Sequence, residues 1–161
     1  MVKEVVESEI GPFLDLIGEV EVGEHYDRSR SDHVDWLKER VRRHYARGGE
    51  FLALYDEEET PLGIACLLVE RQLYCDYSTG EVLSIGIFPQ KRGRGYGSAL
   101  LAFIEQEARR RGCYWLYLWT YAADCRNITF YGKNGFLPVA VLPDRNGPGD
   151  KGDMCMRKLL V

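Results

Sequence analysis

The run Lys91-Arg92-Gly93-Arg94-Gly95-Tyr96-Gly97-Ser98 follows an apolar, β-branched stretch and precedes an apolar pattern of helical spacing. Its chemistry is anion binding. A glycine inside a helix costs about 1 kcal/mol against alanine, so three glycines at alternate positions across a strand-to-helix junction imply a close approach to the backbone. Peptide N–H groups at a helix start carry partial positive charge. Lys91, Arg92 and Arg94 add full charges, and a phosphate or pyrophosphate is the ligand that fits. The P-loop pattern requires Gly-Lys-Ser or Gly-Lys-Thr, and neither occurs. The dinucleotide fingerprint fails because Ser98 stands where Gly93 and Gly95 require a third glycine, and Leu100 fails the register that begins at Gly95. What remains is Arg92-x-x-Gly95-x-Gly97.

The elements that must position this turn follow from periodicity. Residues 2–6 read as a strand and residues 8–20 as a helix, with Pro12 tolerated near its start. Residues 21–30 have no period and read as a loop. Ser31 is a good N-cap for a helix whose apolar stripe is Val34, Leu37, Val41 and Tyr45, stopped by Gly48 and Gly49. Residues 51–55 and 62–69 are apolar runs joined by an acidic turn, the pattern of an antiparallel hairpin. Residues 71–79 are irregular, and 81–88 form the strand before the glycine turn. A helix over 97–111 has the core face Leu100, Leu101, Ile104 and Ala108, with Glu105/Arg109 and Glu107/Arg111 as favourable i,i+4 pairs. Residues 114–121 are apolar or aromatic on both alternating faces, as in a central strand covered on both sides. Strand, helix and strand at this length make a parallel unit with a right-handed crossover. A short helix over 124–134 and strands over 136–142 and 154–160 complete the chain. Residues 143–153 are too long and turn-rich for a tight hairpin and read as a mobile cover for a site or else merely a tolerated insertion. The expected fold is α/β: one domain over residues 1–161, a mixed twisted sheet of about seven strands flanked by about four helices.

Composition bounds the function. The chain of 161 residues is one domain by length, and its apolar and charged fractions are those of an ordinary globular protein. No apolar run approaches the roughly 20 residues that span a bilayer, and the N-terminus lacks a signal peptide's apolar segment, so the expectation is a cytoplasmic protein without a membrane partner. Five scattered cysteines without a C-x-x-C pair argue against a disulfide framework and a zinc site. His25, His33 and His44 lack acidic or cysteine neighbours at ligand spacing and read as surface or packing residues, so no metal is expected. A net charge of −4 argues against general affinity for nucleic acid and suits a cationic partner. The Arg109-Arg110-Arg111 cluster is explained by its place at a helix C-terminus.

The glycine turn resembles motif A of the GNAT superfamily of acyl-CoA-dependent N-acetyltransferases, Q/R-x-x-G-x-G/A. Downstream, Asp124-x-x-Asn127-x-x-Phe130-Tyr131-x-x-x-Gly135-Phe136 is similar to the family's N-x-x-A-x-x-[FL]-Y-x-x-x-G-F. The resemblance implies a GNAT fold with acetyl-CoA as co-substrate. Its pyrophosphate would lie on the amides of Gly93, Arg94, Gly95, Tyr96, Gly97 and Ser98 beside Arg92, and its pantetheine arm would pair with the backbone of Ile85, Gly86 and Ile87. Ile85 and Ile87 pack as core residues whether or not a cofactor is present. The Ile87 N–H would meet the developing oxyanion.

Tyr131 matches a position where the family often places a tyrosine near the CoA sulfur, where a phenol can give a proton to the leaving thiolate. Alternatively it is one more buried aromatic whose hydroxyl is merely hydrogen-bonded. The base is open. Trp119 stands where some members carry a glutamate, whereas Glu81 lies at the distance from Gly95 that the histone-acetyltransferase branch uses. Glu81, Leu83, Ile85 and Ile87 share one face if the strand is regular, and a bulge would change that. Glu81 is the base or a solvated acid at a strand start, with water-mediated deprotonation as the alternative. Asp124 replaces the family's usual Asn, which touches the cofactor arm, and as an N-cap it needs no further role. The resemblance implies direct acetyl transfer to a primary amine in a ternary complex. A catalytically silent acyl-CoA-binding or regulatory module is the rival. The acceptor, a small-molecule amine or a protein or peptide amine, would be walled by residues 21–30, 71–79 and 143–153, and a homodimer stays open.

Overall fold

A computed structural model describes residues 1–160. The elements in order are β1 (Val2–Val5), α1 (Leu14–Glu21), α2 (Ser31–Ala46), β2 (Glu50–Tyr55), β3 (Pro61–Arg71), β4 (Ser78–Ile87), α3 (Tyr96–Arg110), β5 (Cys113–Tyr121), α4 (Cys125–Lys133), β6 (Leu137–Leu142) and β7 (Asp153–Leu159). The strands form one mixed sheet in the order β1-β2-β3-β4-β5-β7-β6, so the expected seven-stranded α/β fold with four α-helices is the one adopted. The chain divides into two compact units, Met1–Leu68 with Leu83–Ile104 and Val69–Val82 with Glu105–Val161.

In the first unit β1, β2 and β3 are successively antiparallel. The acidic turn between β2 and β3 is closed by Asp56, whose Oδ1 accepts from Glu58 N at 3.0 Å and Thr60 N at 2.8 Å. Leu16 and Ile17 of α1 and Leu37 and Val41 of α2 bury their side chains in one cluster with Phe51 and Ile64, each worth about 1.5–3 kcal/mol.

The helix expected over 8–20 is shorter. Residues 7–13 form two 3-10 turns (Glu7–Glu9 and Gly11–Phe13) before α1 begins at Leu14, because Gly11 and Pro12 together withhold the rigidity and the N–H that a continuous helix needs. Ser31 is the first helical residue of α2 and not its cap; Arg30 holds that place and donates to both carboxylate oxygens of Asp32, at 3.1 and 2.6 Å. His44 is buried against Glu21, with Nε2 3.0 Å from Oε1, and Arg40 also pairs with Glu21.

Regular alternation does not hold along β4. Leu83 packs against the α1–α2 cluster, and a Cβ on Gly86 would meet Val20 Cγ2 of α1 at 2.6 Å and Leu16 at 3.2 Å. Residues three apart face opposite sides of a regular strand, so a bulge lies between them. The expected single face of Glu81, Leu83, Ile85 and Ile87 is therefore broken. Ile85 and Ile87 are half-buried and not core residues; the fully buried positions are Val82, Ser84 and Gly86. The Ser84 Oγ has no hydrogen-bond partner among the described residues.

In the second unit β4 runs parallel to β5 over Ser78↔Cys113 to Glu81↔Tyr117. β5 is antiparallel to β7, and β7 to β6. Leu116, Leu118 and Met156 are buried to 1% exposure or less, which leaves Trp115, Tyr117, Trp119 and Arg157 on the other, half-buried face. Residues 143–153, read from sequence as mobile, are tied by their own bonds. Asp144 Oδ1 accepts from Gly149 N at 2.7 Å, Asp150 Oδ2 from Asn146 Nδ2 at 3.1 Å and from Gly152 N at 3.0 Å. Ala122 N, just past β5, donates to Gly152 O at 2.9 Å.

Candidate active site

The glycine turn lies wholly in the first unit. After β4 the chain makes a 3-10 turn over Pro89–Lys91, and Gly93 and Gly95 then adopt φ of +76° and +83°. A Cβ at either would meet nothing within 4 Å, so glycine is required there by backbone conformation and not by crowding. The space above the turn is open. The first bond closing α3 runs from Ala99 N to Gly95 O at 3.0 Å. Among the described residues none accepts from the N–H groups of Gly95, Tyr96, Gly97 or Ser98. Four unengaged amides at a helix start are groups that can bind an anion.

The cations beside it have different tasks. Arg92 Nε donates to Ile87 O at 2.8 Å and its Nη2 lies 3.3 Å from Glu19 of α1, so this guanidinium fastens the end of β4. Lys91 lies 3.9 Å from Asp56. Arg94 is exposed and meets no carboxylate among the described residues, which leaves its charge to a ligand. Ile85 and Gly86 precede Ile87 on the strand, and Gly86 is packed against α1 on one side.

The titratable candidates lie in the second unit. Glu81 and Tyr117 are cross-strand partners, and the Tyr117 hydroxyl donates to Glu81 Oε2 at 3.0 Å. That bond fixes the carboxylate's direction. The row continues to Arg157, the β7 partner of Tyr117. Arg157 lies over Trp115 at 5.4 Å and Arg145 over Trp119 at 4.3 Å from the ring centres. Cys155, partner of Trp119, has its thiol held above the ordinary range by burial first and by the Glu81 carboxylate second, so it is a poor nucleophile.

Tyr131 sits on α4 with its ring 5.1 Å from Phe130 and 6.1 Å from Phe136. Burial first, then the Asp124 carboxylate, pushes its phenol up to about 12. Its hydroxyl has no hydrogen-bond partner among the described residues. Asp124 caps α4, its Oδ1 accepting from Arg126 N at 3.1 Å and Asn127 N at 3.0 Å.

The sequence reading did not single out Tyr117, Arg145 or Arg157. The available signal was Trp115, Tyr117 and Trp119 at a spacing of two, which places three large rings on one face. No cluster of three or more metal-ligating side chains occurs among the described residues, and no helix is long and apolar enough to cross a membrane.

Comparison with known proteins matches residues 15–136 to the model of the acetyltransferase (GNAT) family. The tRNA(Met) cytidine acetyltransferase TmcA 2 of Saccharolobus solfataricus is 35% identical over 66 residues, which span 41% of this chain and 8% of that protein. The mycothiol acetyltransferase of Beutenbergia cavernae is 36% identical over 66 residues, spanning 41% of this chain and 22% of that one. A Bacillus subtilis acetyltransferase solved in complex with CoA superposes with a TM-score of 0.76 at 17% identity, covering 99% of this chain and 98% of its own.

Proposed function

The chain belongs to the GNAT acetyltransferase family, whose model matches more than half of its length, and from that premise we propose that it transfers an acetyl group from acetyl-CoA to a primary amine by direct attack in a ternary complex. The observation that carries this reading is the set of unengaged amides at residues 95–98, opened by the positive φ of Gly93 and Gly95 and flanked by the unpaired Arg94. These groups suit a pyrophosphate. The backbone of Ile85, Gly86 and Ile87 would receive the pantetheine arm, with Arg92 fastening the strand's end to α1 and Asp124 holding the start of α4.

An amine acceptor is protonated at neutral pH, with a pKa near 10.4 for a lysine-like group, and must lose a proton before attack. Glu81 takes that proton directly or through a water, its carboxylate directed by Tyr117. Attack forms the C–N bond, the C–S bond breaks, the nitrogen sheds its second proton, directly or through water, to the departing thiolate, and Tyr131 supplies a hydrogen bond to that sulfur. No covalent acyl-enzyme is needed.

The test is CoA-thiol release from acetyl-CoA over a panel of amino acids, peptides, polyamines and aminoglycosides, repeated with Glu81→Gln and Tyr131→Phe. Turnover undiminished in both variants removes the assigned roles. CoA binding without turnover of any acceptor would establish a silent acyl-CoA-binding module instead.

A further inference from the structure

Resting on that reading, we infer that the acceptor is an amine that also carries an oxyanion, a carboxylate or phosphate, and that Arg157 is the residue that reads it. Four observations within the second unit converge on this. Arg157 is half-buried, and among the described residues it meets no carboxylate; a guanidinium withdrawn from water without an anion is a site with a vacancy for one. Its guanidinium carbon lies over Trp115, 5.4 Å from the ring centre, close enough for the ring face to attract the cation. It occupies the same cross-strand row as Glu81, through Tyr117. Arg145, the second guanidinium of this face, is stacked on Trp119 but also lies 3.5 Å from Asp153, so its charge is partly answered and Arg157 is the one left unmatched.

The spacing sets the size of the acceptor. Glu81 and Arg157 lie two strands apart, about 10 Å between backbones at the usual interstrand distance, and their side chains shorten the gap a ligand must bridge. A dipeptide places its amine and carboxylate roughly 6–7 Å apart when extended. It can present its nitrogen to Glu81 while its carboxylate takes the Arg157 fork. A polycation such as spermidine would bring like charge against the unmatched Arg157 and is disfavoured on the same face.

Two matched pairs test this by thiol release: glycylphenylalanine against its C-terminal amide, and aminopropyl phosphate against aminopropanol. The wild type should prefer the charged member of at least one pair by roughly ten- to 150-fold in kcat/KM, the strength of a charge-assisted bond, and the arm that responds identifies the oxyanion. Arg157→Gln should bring that ratio to about one, chiefly through KM, and Arg157→Lys should restore part of it. Equal use of both members in both pairs overturns the inference, as does an Arg157→Gln variant that slows both members alike with the ratio kept. A titration that needs no turnover separates this from the catalytic reading: N-acetylglycylphenylalanine should quench the Trp115 and Trp119 fluorescence of the wild type while its amide does not, and Arg157→Gln should abolish the difference. That result in a chain that turns over nothing would sustain Arg157 and reject the acetyl-transfer reading. Turnover without any preference for an anion would do the reverse.

Discussion

Replacing Tyr131 by phenylalanine removes one hydroxyl and nothing else. The ring keeps its contacts with Phe130 and Phe136, and since no described group donates to or accepts from that hydroxyl, no buried partner is orphaned. Stability at neutral pH should therefore shift by no more than about 0.5 kcal/mol. Turnover should respond differently. With the phenol pushed up to about 12 and a free thiol near 8.5, complete proton transfer to the departing sulfur is uphill by about 3.5 pK units, roughly 5 kcal/mol. On the proposed reading Tyr131 would therefore act as a hydrogen-bond donor, and the sulfur's proton would come finally from the acceptor nitrogen or water. A hydrogen bond to a charged acceptor contributes about 1.5–3 kcal/mol, which predicts a loss of roughly ten- to 150-fold in kcat with the KM for acetyl-CoA little changed. Because the phenol stays protonated, the ratio of wild-type to variant kcat should be flat from about pH 6 to about pH 10. Steady-state thiol release across that range, with thermal melts of both proteins, decides the matter. A kcat within twofold of wild type, or a loss matched by an equal fall in melting temperature, would refute the argument.

Three further outcomes follow from the same geometry. Gly95→Asp imposes a side chain at φ +83°, at a cost of about 1–2 kcal/mol, and sets a carboxylate over the unengaged amides; calorimetric titration should show CoA affinity falling at least about tenfold, and unimpaired binding would sink the cradle assignment. Ser84→Ala removes a buried hydroxyl with no described partner and should stabilise the chain by up to about 1 kcal/mol, a rise of about 2–4 °C in Tm; a fall in Tm would mean that a water or ligand answers that oxygen. The folded Tyr131 phenol lies at about 12 against an ordinary 10.0. Its contribution to stability is fully present below pH 10 and is lost as pH rises through 12, by at most roughly 3 kcal/mol. Alkaline denaturation should accordingly be milder in Tyr131→Phe, and identical curves would contradict the burial argument.

What could be read in advance divides along a physical line. Local signals held where one residue's demand settles the matter: the Asp124 cap and the i,i+4 pairs Glu105–Arg109 and Glu107–Arg111, which close at 2.9 and 2.6 Å; the glycines at 93 and 95, read as marking a close approach to the backbone, instead adopt positive φ with open space around them. Periodicity gave the strands and their order of appearance, since β-branched and aromatic runs fill a sheet. It failed where tertiary packing overrides a local period. The bulge in β4 is hinted at only by a glycine within the strand run, Gly86, and its place shows only in the packing of Leu16 and Val20 against that glycine. The stripe of α2 was read as Val34, Leu37, Val41 and Tyr45, yet His44 is buried as well, since Glu21 arrives from another helix to meet it. Arg157 was invisible for a related reason. Its meaning depends on a register across three strands, and no spacing within one segment encodes that.

The charge balance shows why local geometry outranks composition in choosing an acceptor. A net charge of −4 suggests a cationic partner only if the acids are free to act on it. Many are not. Glu39 is paired with Arg42 and Arg43, Glu105 with Arg109 and Lys158, and Glu107 with Arg110 and Arg111. Glu107 is held down to about 2, first by its bond to Arg110. Such pairs cancel beyond a few ångströms, and salt screens what is left beyond about 8 Å. On the inference above, a small acceptor at the half-buried face of β5 and β7 would meet instead Arg157, which has no carboxylate partner among the described residues, and Arg145, which is paired with Asp153. Desolvation on that face strengthens each close contact relative to the distant surface, so on that inference the nearest groups, Glu81, Arg157 and the Arg145–Asp153 pair, would select the acceptor, and not the net charge of the chain.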